Sequence, residues 1–289
     1  MLNVRSSTVA EDTRNEAARV REDYGRRRSM HGCISDKTNL LTIICLPKSA
    51  QVYFQRSIEA TLSAVKWPLS YPSANVKAEI IAEAISRYTE QPCALAGDHI
   101  PASEHNLRML AAAGIERIAL LVRDPRDALV SWWHHLERDD IKGEAWIAAR
   151  LSSSGLMSEG YCGLSLEERL ADLIEHMFPA MQEWLTGWGS AMERDSPFSF
   201  HVSRFEDFVR DPAQSLRNMC RFLGHDVEPV LPEREGPAEQ FSAGIHTFTH
   251  FRRGVAGSHR DEVPAHLLPR LSALTDRSVF ERYGWSLDH

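Results

Sequence analysis

RIALLVRDPRDALVSWWHH, residues 117–135, decides the fold. Ile118 to Val122 is an unbroken apolar run of strand length, the pattern of a strand buried on both faces. A helix opens at once behind it. Asp124 stands as N-cap, Pro125 occupies the first helical position and Asp127 falls in the first turn, three start signals in four residues. A buried strand running through a tight turn into a helix is the repeating unit of a parallel sheet.

Upstream, LLTIICL (40–46) is a β-branched strand, and YFQRSIEATLSAV predicts a helix with Phe54, Ile58, Leu62 and Val65 on one face. CALAGDH (93–99) reads as a strand, followed by a helix from about Ser103 that stops near Gly114, a residue suited to a left-handed cap. Downstream, Ser165 to Met192 predicts a long amphipathic helix with Leu166, Leu170, Leu173, Met177, Met181, Trp184 and Trp188 facing the core. FSFHVSR (198–204) is a fourth strand, and Asp211-Pro212 opens a helix that ends at Leu223-Gly224. The alternation defines an α/β fold of three layers, a central parallel sheet flanked by helices. The expected organisation is one domain over 38–289, preceded by a flexible charged arm over 1–37.

Composition narrows the function. Of 289 residues, 43% are hydrophobic and 25% charged, as in soluble globular proteins. With 33 basic and 40 acidic residues the net charge is −7, which argues against a nucleic-acid partner or an anionic membrane surface. Cys33, Cys45, Cys93, Cys162 and Cys220 are scattered with no C-x-x-C pair, so neither a disulfide framework nor a zinc site is expected. The longest apolar stretch, Leu40 to Leu46, is too short to span a bilayer, and a cytoplasmic location is expected.

Ligands of open parallel sheets sit at the carboxyl ends of the strands, where helix N-termini present unpaired N–H groups. The first such loop, Pro47-Lys48-Ser49-Ala50-Gln51-Val52-Tyr53, combines backbone donors, a lysine and a hydroxyl in a P-loop-like setting, without the glycines of a G-x-x-x-x-G-K-[ST] loop. The loop after 117–122 offers Arg123 at the strand end and Ser131 two turns into the helix. A guanidinium fork there suits a phosphate, the alternative being a surface ion pair of Arg123 with Asp124 or Asp127. Arg252, Arg253 and Gly254 form a late basic turn able to close over an anion.

In this order, the PKS loop, V-R-D-P-R-D-x-x-V-S, R-F-E-D before a D-P helix and F-R-R-G-x-x-G resemble the soluble sulfotransferase family over roughly residues 40 to 260. The resemblance implies transfer of the sulfuryl group of 3′-phosphoadenosine 5′-phosphosulfate (PAPS) to an acceptor hydroxyl or amine, without a metal. It implies that Lys48 steadies the leaving phosphate and that the backbone of Ser49, Ala50, Gln51 and Val52 donates to it. Tyr53 stands where the family stacks a Trp on adenine, Arg123 and Ser131 hold the 3′-phosphate, and Arg252, Arg253 and Gly254 close over it. His99, in Gly97-Asp98-His99-Ile100-Pro101, takes the place of the family's base. The chain departs from the family pattern at Ala50 for Gly, Gln51 and Val52 for paired Thr, Phe205 for the Tyr of Y-E-D, His259 for Trp, and Gly97 for the Lys two residues before the base.

Two other readings stand beside this one: a nucleotide-binding module of the same fold that catalyses poorly, and a P-loop kinase, for which the glycine-rich loop is missing. His134 and His135 are adjacent and point to different faces, so they are assigned to solvent or packing. His246 and His250 are not assigned to zinc, no G-x-S-x-G elbow is present, and Trp132, Trp133, Trp184 and Trp188 are assigned to the core. The acceptor, a small molecule, lipid or saccharide, is expected between walls at Ser152 to Tyr161 and Glu235 to Phe248, with 152–163 as a mobile lid. No dimerisation pattern is recognisable after Arg260.

Overall fold

The computed structural model describes residues 39–70, 76–91, 93–137, 149, 151–231 and 254–287. The arm over 1–37, Arg252, Arg253, His246, His250 and the Glu235 to Phe248 wall lie outside the described residues. Five strands, β1 (Asn39–Cys45), β2 (Val65–Lys66), β3 (Cys93–Asp98), β4 (Arg117–Val122) and β5 (Ser199–Arg204), make one parallel sheet in the order β2-β3-β1-β4-β5.

Period-two alternation sends the side chains of β1, β3 and β4 into two separate cores. Leu41, Ile43 and Cys45 of β1, with Leu95 of β3 and Ala119 and Leu121 of β4, pack on one side with Phe54, Ile58, Leu216 and Cys220. Those last four belong to α1 (Gln51–Leu62) and α7 (Pro212–Phe222). Ile44, Ala96, Leu120 and Val122 face the other side, against α4 (Pro125–Leu136) and α5 (Leu166–Glu193). The remaining helices are α2 (Ala82–Thr89), α3 (Glu104–Ala112), α6 (Phe205–Arg210), α8 (His259–Glu262), α9 (Leu268–Ala273) and α10 (Arg277–Tyr283).

Most boundaries follow the side-chain signals. Asp124 accepts from the Arg126 N–H as N-cap of α4, Asp211 accepts from Gln214 at α7, and Ser165 with Glu168 closes a capping box on α5. Three expectations change. Val65 leaves the helix, because Ser63 at φ 53 ends α1 and Val65 pairs with Ala94 as part of the short edge strand β2. Leu166 sits in the first turn of α5 and is 54% exposed, so the core-facing stripe begins at Leu170. The segment 152–163 is no loose lid, since Leu156, Met157 and Tyr161 are buried and Asp172 accepts from the Ser158 N–H.

Candidate functional site

The three loops singled out in the sequence meet because β3, β1 and β4 are neighbours in the sheet. β1 delivers Pro47 to Ala50 at its carboxyl end. Within that turn Lys48 and Ala50 hold φ 68 and φ 66, left-handed conformations that a Cβ disfavours and glycine would relieve. The Ala50 that stands in place of the family's Gly is therefore strained. It turns the chain so that α1 starts with Ala50 as its N-cap, with no side-chain cap and no acidic residue in the first turn. Side chains cap α3, α4, α5, α7 and α10, while α2, α6, α8 and α9, like α1, have no side-chain cap. Beside the uncapped N–H groups of α1, the buried Ser49 hydroxyl has no hydrogen-bond partner. Gln51 donates its amide to the Gly97 carbonyl at 2.6 Å, binding the loop to β3. Tyr53 is half-buried, edge-on to Phe208 of α6 at 5.1 Å.

His99 follows β3 directly. Its Nδ1 donates to the Cys45 carbonyl at 2.6 Å, the last residue of β1 before the lysine loop, which leaves Nε2 as the basic nitrogen of a neutral ring. Burial pushes the imidazole down to about 4. The Cys45 carbonyl opposes that shift, and the Lys66 and Lys48 charges add to it. The backbone on the far side of the ring is held as well: Trp184 donates its indole N–H to the carbonyls of His99 and Ile100, and Trp188 donates to Ile100. Next to it, the buried Asp98 carboxylate accepts from the N–H groups of Leu69 and Ser70 and from the Ser70 hydroxyl. Burial raises the Asp98 pKa, with those bonds pulling against it.

Arg123 is buried at the end of β4 and ties three segments together. One terminal nitrogen donates to the Lys48 carbonyl and the other to the Val255 carbonyl, both at 3.1 Å, while the guanidinium lies 4.0 Å over the Phe205 ring. Phe205 thus offers a flat face to a cation. The surface ion pair considered for Arg123 is not formed. Asp124 pairs with Arg126, and Asp127 receives the late turn, accepting from the N–H groups of Gly257 (2.6 Å) and His259 (3.0 Å) and from His259 Nδ1 (2.7 Å). Burial favours a neutral Asp127, but the His259 bonds and the Arg123 charge outweigh it and hold the carboxyl down at about 2. Ser131 lies half-buried one turn beyond Asp127, on the same face as His134, which bonds Glu262 at 2.6 Å. Gly254, at φ 62, begins the described part of this turn.

Lys48, Arg123, Phe205, His99 and the turn after Gly254 thus come together at one end of the sheet, and Ser131 stands on the adjoining helix face. Two sets of contacts escaped the sequence reading: the indoles of Trp184 and Trp188, and the carboxylate of Asp127 as anchor of 257–259. Only Asp127 left a signal, being one helical turn beyond Arg123. On the expected acceptor wall, Ser152, Ser158, Glu159 and Tyr161 help line a cavity of about 410 Å³. Among the described residues, no group of three or more His, Cys, Asp or Glu is placed to hold a metal ion, and no helix is long and apolar enough to cross a membrane.

A parallel sheet whose first strand runs through a strained turn into an uncapped helix, with lysine, arginine and a buried neutral histidine nearby, defines an α/β fold of the P-loop-like kind. Within that class the chain matches the sulfotransferase domain over residues 91–279, more than half its length, and it belongs to the sulfotransferase domain family. The match takes in His99, Arg123, Ser131 and Phe205; the loop at 47–53 lies before it. Among solved structures, mouse sulfotransferase SULT7A1 complexed with PAP shares the fold at a TM-score of 0.53 and 15% identity, over 86% of this chain and 87% of that one. A sulfotransferase from Alicyclobacillus acidocaldarius aligns at 18% identity over 86% of this chain and 100% of that one, with a TM-score of 0.47. No curated protein matches the chain.

Proposed function

We propose that the protein transfers the sulfuryl group of PAPS to a hydroxyl or amine of a small-molecule, lipid or saccharide acceptor, with His99 as general base. One observation carries the reading: His99 Nδ1 is committed to Cys45, at the root of the lysine loop, so Nε2 is a fixed, neutral proton acceptor beside that loop. The loop fits a sulfated nucleotide. Its Ser49 hydroxyl has no partner, its helix end is uncapped, and Lys48 supplies the only cation between Leu40 and Gln55.

Bound PAPS supplies the electrophilic sulfur and a phosphate leaving group. His99 Nε2 takes the acceptor proton as the new O–S or N–S bond forms and the bond from sulfur to the phosphate oxygen breaks. Lys48 and the N–H groups at the start of α1 stabilise the electron pair left on that oxygen. Arg123 and Ser131, with the turn of Arg252, Arg253 and Gly254, hold the 3′-phosphate, and Tyr53 and Phe205 serve the nucleotide side. The acceptor approaches along 152–161.

Calorimetric titration with adenosine 3′,5′-bisphosphate (PAP), 5′-AMP and magnesium ATP tests the reading. A 3′-phosphate held by charge-assisted bonds is worth about 1.5–3 kcal/mol, so PAP is expected to bind about 10- to 150-fold more tightly than 5′-AMP, and ATP not to compete. PAP binding no better than 5′-AMP overturns the proposal, and a preference for magnesium ATP turns it towards a kinase.

A further inference from the structure

Gln55 lies one turn after Gln51 on α1, is 3% exposed, and its Nε2 has no hydrogen-bond partner. It occupies a particular space. A Cβ built on Gly97 would fall 1.5 Å from Gln55 Nε2, 2.7 Å from its Cδ and 3.3 Å from Gln51 Nε2, so the two amides fill the room a side chain at position 97 would take. Gly97 is two residues before His99, on the same face by strand period, and Gln51 spends its own amide on the Gly97 carbonyl. Gln55 Nε2 is therefore an N–H donor between the first turn of α1 and the strand that carries the base.

A buried donor without an acceptor costs about 1–3 kcal/mol, which an apolar side chain of the same shape would avoid. An unfilled donor packed against the strand that leads to His99 calls for an acceptor that the protein itself does not supply. We propose that Gln55 Nε2 donates to a sulfuryl oxygen of the bound donor, a role that rests on the sulfuryl-transfer reading. The missing Lys at position 97 is then replaced by a neutral donor reaching over from the helix, and Gly97 is required to leave it room. A neutral amide orients the sulfuryl group without adding a third positive charge to Lys48 and Lys66, both of which already bear on His99.

PAPS and PAP differ only in the sulfuryl group, so calorimetry with both nucleotides isolates the contact without an identified acceptor. Gln55→Leu is expected to weaken PAPS about 10-fold and to leave PAP within about twofold of wild type. Removing an unpaired donor gives this variant no reason to unfold, and its thermal midpoint is read alongside. Gln55→Glu, of equal size, is expected to weaken PAPS more than Gln55→Leu does, because a carboxylate faces the sulfuryl oxygens. Gln55→Leu weakening both nucleotides equally, or neither, overturns the proposal and assigns Gln55 to packing of α1 on β3. So does Gln55→Glu weakening PAPS no more than PAP. Wild-type protein that binds neither nucleotide overturns the sulfotransferase reading itself, and this role with it.

Discussion

His99 carries its consequences in its protonation. Burial holds its pKa near 4 where an unfolded chain has about 6.5, so the folded state refuses a proton that the unfolded state accepts. Between those values the unfolded protein binds more protons. Stability is therefore fully present above about pH 6.5 and falls as the pH is lowered towards 4, by up to the order of 3 kcal/mol from this group. Asp127 acts in a different window: its pKa of about 2, below the ordinary 3.8, gives stability that is lost only as the pH falls below about 4. The two groups can thus be separated in one titration. Urea midpoints measured from pH 7 to 4 are expected to fall steeply in wild type and to flatten in His99→Gln, which has no proton to refuse. Equal slopes in both proteins would show that His99 is as solvated as in a peptide. The same neutrality bears on catalysis, because the acid limb of kcat is expected near pH 4 and not near 6.5.

At the scale of elements, the strand-loop-helix unit of β1 and α1 carries the local strain. Ala50 at φ 66 bears a Cβ where the backbone is left-handed, at a cost of about 1 kcal/mol. Ala50→Gly is expected to raise stability by about that amount in urea unfolding, with PAP affinity unchanged or improved. A loss of stability would mean that Ala50 has packing that repays its strain. This unit also marks the limit of what the sequence shows. β1, β3, β4, β5 and α4 were legible because buried strands and caps are local signals, Ile118 to Val122 and Asp124-Pro125 above all. The edge strand β2 was not legible: two residues carry no period, and only pairing with Ala94 and Leu95 makes Val65 and Lys66 a strand. Of the candidate site, Lys48, His99 and Arg123 are readable from their places at strand ends. The groups that set them are not, because each contact spans a long stretch of chain: Trp184 meets His99 and Arg123 meets Val255 only after folding. Nothing in the local sequence sets Gln55 apart; only the fold shows that its amide fills the space left by the missing side chain of Gly97.

Over the whole molecule, the site is closed by a carboxylate in the middle of the chain that holds a turn near its end. Asp127 on α4 receives Gly257, Ser258 and His259 from about 130 residues away, and Arg123 on the same side holds the Val255 carbonyl of that turn. The two bonds act together. The carboxylate fixes where the turn sits, and its negative charge balances the buried guanidinium that the turn covers. An amide in its place keeps one acceptor, but its NH2 confronts backbone donors, and the charge beside Arg123 is lost. Asp127→Asn is therefore expected to cost about 1–3 kcal/mol and to free the amides of Gly257 and His259 for hydrogen exchange, while amides in β1 and β4 stay the slowest to exchange. The acid limb below about pH 4 is expected to disappear with the carboxylate, since an amide has nothing to protonate there. PAP should weaken along with the turn, because the carbonyl that orients Arg123 moves away with it. Unchanged exchange at Gly257 and His259 would show that the turn is held by the rest of the C-terminal segment, with Asp127 serving only as the counter-charge of Arg123.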